Sequence, residues 1–507
     1  MVSRIKTLLV HILILDLYFI IILWMYSGSI DDFAAKHVAV SLALIHNCLD
    51  PWSYFNYLFE EIPGYYTFIS ALLLVPNLDY YSLPVLPIQM IPYLMIFWTL
   101  IYILSGKKLV ATLASMWYFS ISYNGKNLFL WPHSLGDIIF YSFLLSILIQ
   151  TKEQLKPEHK LNTILILIIL PFISYNVSFI LILTVLFLFI IEIINYKNSL
   201  QKIVNNRFLR IILIIIVTEF GLLNFIYNSI LRNMLFPSYD GILSTVNLFL
   251  KTFFLSQTSD PDSLLIALLI EYPHELTIIY IAKYIIYLAI ILSFLNMLKT
   301  NKLYTYKKQK MCISVFIGLF LSSLIFILVR ATIGHFAIDR LTYPLILAIP
   351  LLYRYLDLKY KKAFIVLILV LIMLNFIAIF IALDSKIVQK DDFRYIQTSA
   401  DWANAHLNDI IIRFPDQLTF AFYNVEFSYL VNSESNLRYL DIIDTINIYN
   451  NSIVAKNQTI VINYRASYNN IGGWYCAKPF SLVRNTIDEN KNLSKIYDLH
   501  YICIYQS

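Results

Sequence analysis

Six residues have the chemistry and the position to matter most: Asp31, Asp32, Asp137, Arg330, His335 and Arg340. Asp31 and Asp32 are adjacent, just past the apolar run 7–26. A positioned carboxylate can take the proton of a hydroxyl as that hydroxyl becomes a nucleophile. Two adjacent carboxylates cannot aim equally at one atom, so the partner caps or tunes. On spacing alone, both aspartates read best as the cap of the helix that follows. Asp137 opens a second apolar run in WPHSLGDIIF, where it could hold a polar substrate or a divalent metal, Mg or Mn, or serve as a helix-start acid. His133 in the same stretch reads as a solvated boundary residue. Arg330, His335 and Arg340 frame a short turn between two apolar runs. A planar guanidinium there can grip a phosphate in bidentate fashion. It can also snorkel to head groups, since an arginine at mid-bilayer costs about 2.5–3.5 kcal/mol and far less at the edge.

The elements that position these residues follow from composition. The chain has 507 residues, 59% apolar and 14% charged, with a formal net charge of +6, and its mean hydropathy is +0.68. Soluble domains carry about 45–50% apolar and about 25% charged residues. The balance excludes a water-soluble enzyme, a disordered tail protein and a nucleic-acid binder, and fits a polytopic membrane protein. The four cysteines, Cys48, Cys312, Cys476 and Cys503, have neither zinc spacing nor a disulfide framework.

A membrane helix needs about 20 mainly apolar residues. The spans read as 7–26, 84–104, 108–122, 134–150, 162–175, 177–195, 207–229, 275–298, 311–330, 339–354 and 362–383, eleven in all. Cytoplasmic loops collect Lys and Arg. Arg4 and Lys6 precede the first span. Lys107 and Lys108 follow the second, Lys152 to Lys160 the fourth, and Lys197 to Arg207 the sixth. Lys299 to Lys310 follow the eighth and Arg354 to Lys362 the tenth. Every second connection is basic, which puts the N-terminus inside and the tail outside a cell membrane crossed many times. The short apolar stretch 63–76 would break the alternation if it crossed, so it is expected at the outer surface or dipping in.

Residues 1–383 thus form a membrane domain with a first outer loop, 27–83, and a large outer loop, 230–274. In the first loop Val38, Leu42, Ile45 and Leu49 make one apolar stripe, the pattern of a helix lying in the membrane surface. Residues 384–507 are polar and alternating. Segment 391–407 reads as a helix and 410–414, 459–464 and 501–505 as strands, so the tail is expected to be a small extracytoplasmic α/β domain. In the first span His11 and Asp16 lie about 140° apart around the helix and do not form a pair on one face.

Five stretches carry a resemblance: Ile30-Asp31-Asp32-Phe33, Ile62-Pro63-Gly64-Tyr65-Tyr66, Ser105-Gly106-Lys107-Lys108, Arg340-Leu341-Thr342-Tyr343-Pro344, and the tail end from Lys495-Ile496-Tyr497-Asp498 to Ile504-Tyr505. In this layout the chain resembles the GT-C superfamily of integral-membrane glycosyltransferases, to which protein O-mannosyltransferases and lipid A aminoarabinose transferases belong. It departs from them in having Asp32 where Glu is commoner and in lacking a His-Pro-Pro run before the second span. The resemblance implies a polyprenyl-phosphate sugar donor and inversion at the anomeric carbon. The acceptor hydroxyl would belong to a protein, lipid or polysaccharide. By resemblance Asp31 takes the base position, with Asp32 capping or tuning it, and Arg340 the phosphate clamp. Asp137 would hold the acceptor or a metal bridging to the phosphate. A transporter or flippase of lipid-linked glycans, and a glycan polymerase or ligase, are the competing expectations. The first usually has Gly/Pro-broken helices at mid-membrane, and this chain has only 11 Gly.

Overall fold

The computed structural model describes residues 2–25, 63–75, 89–121, 132–150, 157–195, 274–299, 307–331, 338–384, 393–407, 412–414, 437–439, 459–464, 484–489, 493–499 and 502–506, with isolated positions between. They are mostly helical, with a small sheet near the C-terminus. The helices of the apolar region are α1 (Val2–Met25), α2 (Pro63–Leu73), α3 (Met90–Ser105), α4 (Lys108–Phe119), α5 (Pro132–Gln150), α6 (Pro157–Ile173) and α7 (Tyr175–Asn195). After these come α8 (His274–Lys299), α9 (Lys307–Ala331), a 3-10 turn (Ile338–Leu341), α10 (Thr342–Tyr355) and α11 (Leu358–Asp384). Among the described residues, two helices are long and apolar enough to cross a membrane, Ile278–Leu298 and Leu358–Ile381. Their outward residues, such as Ile285, Leu292, Val366 and Met373, are exposed and apolar, as a lipid solvent favours. Seven further apolar stretches, including Met90–Ser105 and Cys312–Leu328, are shorter.

Local sequence sets the joints. Gly106 ends α3 in the left-handed conformation, φ 69°, and donates its N–H to the Tyr102 carbonyl at 2.8 Å. That satisfies a carbonyl the helix end would leave open, at a φ that favours glycine. The chain then reverses through Lys107, and α4 packs back along α3. Helix α2 has eleven residues, a rise of about 16 Å at 1.5 Å per residue, too short to cross a bilayer. It packs on α6, with Tyr65, Tyr66 and Ile69 buried. Helices α7 and α9 approach closely where Gly318 faces Thr184. The Thr184 hydroxyl donates to the Ser322 hydroxyl at 3.1 Å, and Ser322 donates to the Gly318 carbonyl at 2.7 Å. Small residues let the two helices approach closely, and shared hydroxyls join them.

Two contacts fix the relative direction of α3 and α10. Near their N-termini, Tyr93 and Tyr343 bond the same carboxylate. Near their C-termini, Arg354 donates to the Leu104 carbonyl at 3.2 Å. The helices therefore run parallel. Lys107, Lys108, Arg354, Lys359 and Lys361 gather at the latter end, and the polar cluster described below lies at the other.

The C-terminal region contains α12 (Phe393–His406), β1 (Ile412–Phe414), β2 (Leu437–Tyr439), β3 (Thr459–Asn463), α13 (Arg484–Asp488), β4 (Ser494–Leu499) and β5 (Ile502–Gln506). The sheet order is β2-β1-β3-β5-β4. β1 runs parallel to β2 and β3, and β5 is antiparallel to β3 and β4. All five residues of β3 are buried, with Ile460, Val461 and Ile462 as its apolar centre and both faces covered. Helix α12 turns Ile396, Ala400 and Ala403 inward, at spacings of four and three. The expected helix and three expected strands coincide with α12, β1, β3 and β5. β2 and β4 were not expected.

Candidate functional site

The cluster is centred on Asp137, the sixth residue of α5, only 5% exposed. Gly136 permits this position. A Cβ there would stand 2.6 Å from the Ser174 Cβ, so the start of α5 presses directly on the junction of α6 and α7. Four tyrosines from four helices close around the carboxylate. Tyr343 at the start of α10 donates to Asp137 Oδ1 at 2.5 Å. Tyr93 on α3 and Tyr118 on α4 reach Oδ2 at 3.1 and 3.3 Å. Tyr93 and Tyr118 hydroxyls lie 2.8 Å apart, and Tyr118 and Tyr141 hydroxyls 2.6 Å apart. Each phenol has one proton to donate. The assignment that gives every contact a proton has Tyr343 and Tyr118 donating to Asp137, Tyr141 donating to Tyr118, and Tyr93 sharing its proton between Tyr118 and Asp137. A buried anion thus receives three donors, the arrangement that makes its burial tolerable.

Arg340 supplies the opposite charge. It lies in the 3-10 turn before α10, and its Nη1 donates to the Tyr343 hydroxyl at 3.3 Å. Its guanidinium carbon is 5.8 Å from the Phe326 ring centre and 5.9 Å from that of Tyr343. Asp137 and Arg340 are therefore joined through one phenol. Ring contacts stiffen the assembly: Tyr93 stacks on Tyr141 at 5.8 Å and Phe97 on Tyr118 at 4.5 Å.

The sequence reading named Asp137 and Arg340 separately, and the structure brings them together. Asp31, Asp32 and His335 lie outside the described residues. Arg330 falls in the last turn of α9, and its side chain lies outside the described set, as does that of His133. His11 pairs with Thr112 at 3.2 Å, and Asp16 is exposed on the opposite side of α1. A divalent metal at Asp137 would compete with the phenol donors that both carboxylate oxygens take. Among the described residues, no three His, Cys, Asp or Glu side chains gather as metal ligands do. The tyrosines were missed because 38 of them are scattered through the chain. The usable signal was spacing: Asp137 and Tyr141 are one helical turn apart, and Arg340 and Tyr343 nearly so.

A second polar cluster joins α13 to strands β4 and β5, the strands of the tail segment that carries the resemblance. Lys495 contacts Asp488 at 2.7 Å and Asp498 at 3.2 Å, and Arg484 lies 3.5 Å from Asp498. Tyr505 donates to Asp488 at 2.6 Å and bonds the Tyr464 hydroxyl. Burial pushes both carboxyls upward, but their hydrogen bonds and the Lys495 and Arg484 charges outweigh it and hold both below the usual range. Burial and the Asp498 acceptor push the Cys503 thiol up to about 12, so it is a packed thiol and not a nucleophile. No family model matches the chain, and no curated protein matches it.

Proposed function

We propose that the chain is an inverting glycosyltransferase of the GT-C type, moving a sugar from a polyprenyl-phosphate donor to an acceptor hydroxyl at the outer face of a cell membrane. The observation that carries the reading is the Asp137–Tyr343–Arg340 relay at the end of the bundle opposite the basic residues. Lys and Arg collect on the cytoplasmic side, so this end is the outer one. Arg340 holds the phosphate as it leaves. Asp137, buried beneath the tyrosines, acts through Tyr343 as a positioning residue. Asp31 takes the acceptor proton. In the balanced step, the acceptor oxygen bonds the anomeric carbon and the bond from that carbon to the phosphate oxygen breaks. The proton goes to Asp31, and polyprenyl phosphate departs. The eleven-span topology, with the N-terminus inside and the tail outside, belongs to the same proposal.

The test is transfer of labelled sugar from polyprenyl phosphate in membranes containing the wild type, Asp31→Asn or Arg340→Gln. Both variants are expected to lose at least 100-fold in rate. Unchanged transfer by Asp31→Asn would remove it as the base. Movement of the lipid-linked sugar across vesicles with no transferred product would favour the transporter. Cysteine labelling of the tail in intact cells checks the orientation, and labelling only after lysis would reverse it.

A further inference from the structure

Lys283 is the charged group that the relay leaves unexplained. It lies on α8 within Ile278–Leu298, one of the two helices long and apolar enough to cross a membrane, and is 2% exposed. An ammonium has three N–H donors. Among the described residues, Nζ meets one acceptor, the Ile121 carbonyl at 3.4 Å, and stands 4.9 Å from the centre of the Tyr280 ring. No carboxylate among the described residues forms an ion pair with it; the pairs among those residues all lie in the C-terminal region. A buried cation without an anion is expensive and marks function inside a membrane domain.

Its location indicates what the anion is. Ile121 follows the end of α4, three residues past Tyr118, which belongs to the Asp137 cluster. One turn along α8, Tyr287 accepts from the Trp117 indole at 3.2 Å, and the Asn375 amide donates to the Trp117 carbonyl at 3.1 Å. The end of α4 is thus fixed from two further helices, and Lys283 is held at the same end of the bundle as Arg340. The surroundings are aromatic and apolar, which suits an anion attached to a hydrophobic chain. We infer that Lys283 binds an oxygen of a lipid-borne phosphate, from the side of α8, as a second cation at the Arg340 end of the bundle. The inference rests on the lipid-phosphate reading above and adds a residue that neither the sequence pattern nor the resemblance singled out.

Equilibrium binding tests it apart from catalysis. Full-length protein in nanodiscs of phosphatidylcholine is titrated with farnesyl phosphate, farnesol and inorganic phosphate, for the wild type, Lys283→Arg and Lys283→Met. Farnesyl phosphate is expected to bind the wild type and Lys283→Arg, and Lys283→Met at least tenfold more weakly. Farnesol should bind weakly and alike to all three. A residue that only capped α4 would lower stability without changing the preference for phosphate over alcohol. Equal affinity of wild type and Lys283→Met for farnesyl phosphate overturns the assignment while leaving the transferase reading intact. Failure of the wild type to prefer farnesyl phosphate over farnesol overturns both. Inorganic phosphate competing as well as farnesyl phosphate would make the ligand free phosphate and overturn the lipid-borne one. If Lys283→Met does not give monodisperse protein, Lys283→Gln is read in the same way, since it keeps a donor to Ile121 without the charge.

Discussion

Replacing Tyr343 by Phe removes one oxygen from the centre of the relay and leaves the ring in place. Two contacts are lost, the 2.5 Å bond to Asp137 and the 3.3 Å bond from Arg340. A hydrogen bond to a charged group contributes about 1.5–3 kcal/mol. Interhelical bonds in membrane proteins contribute less, up to about 1.7 kcal/mol, because the unfolded state in lipid finds other partners. Asp137 also keeps Tyr93 and Tyr118 as donors. The expected loss of stability is therefore about 1.5 kcal/mol, at the lower end of the charged-bond range. Asp137→Ala is expected to cost more, about 3 kcal/mol, because several buried phenols lose their acceptor at once. The assay is unfolding in mixed micelles followed by tryptophan fluorescence, with Asp137→Ala, Tyr343→Phe and the double variant completing a cycle. Residues in one network couple by about 0.5–3 kcal/mol, whereas independent sites add within about 0.3–0.5 kcal/mol. Additive losses would show that Tyr343 does not join Asp137 to Arg340, and the site as described would fail. In the transfer assay a loss of 1.4 kcal/mol corresponds to about tenfold, so Tyr343→Phe should be impaired yet measurable.

Three further outcomes follow from the packing and the tail. Gly136→Ala puts a Cβ 2.6 Å from that of Ser174; overpacking of this kind costs about 1–3 kcal/mol, and a lowered unfolding midpoint together with reduced transfer should follow. Gly106→Ala meets open space and is strained only by its φ of 69°, so it should cost about 1–2 kcal/mol and leave transfer intact. In the C-terminal sheet, Asp488 and Asp498 titrate below their unfolded values. Their contribution is present above the unfolded pKa, about 3.9, and is lost as pH falls through the lower folded values. Labelling of Cys503 by an acid-tolerant disulfide reagent, read by mass spectrometry, should therefore accelerate below about pH 4. No acceleration in that window would mean that these carboxylates do not hold β4 and β5 together.

What the sequence made legible was whatever repeats along the chain. Apolar runs marked the helices, and alternation marked β1, β3 and β5. Asp137 and Arg340 stood out because a charge beside an apolar run is rare and costly. Tyr93, Tyr118 and Tyr141 had no such contrast, since tyrosine is common here and each stands among other aromatic residues. Their roles arise from packing, which brings hydroxyls from α3, α4 and α10 to one carboxylate and a fourth, from α5, to Tyr118. Lys283 was overlooked for another reason. A single lysine near the start of a long span looks like a snorkelling residue, and only its burial shows that the side chain turns inward.

The relay also explains why the acid and the base do not meet directly. A guanidinium and a carboxylate in contact form a bidentate pair that directs two donors at one partner. With Tyr343 between them, Asp137 engages the guanidinium through Nη1 and a single phenol. The carboxylate can then sit deep, where Gly136 lets α5 press against Ser174, while the arginine stays in the turn before α10. Depth gives the anion a cage of phenols, and the turn gives the cation a place at the helix ends. Moving the arginine inward would cost burial of a second charge, and moving the aspartate outward would lose its donors. A tyrosine long enough to connect the two levels avoids both penalties, and Phe at 343 is the substitution that separates the levels without disturbing either charge.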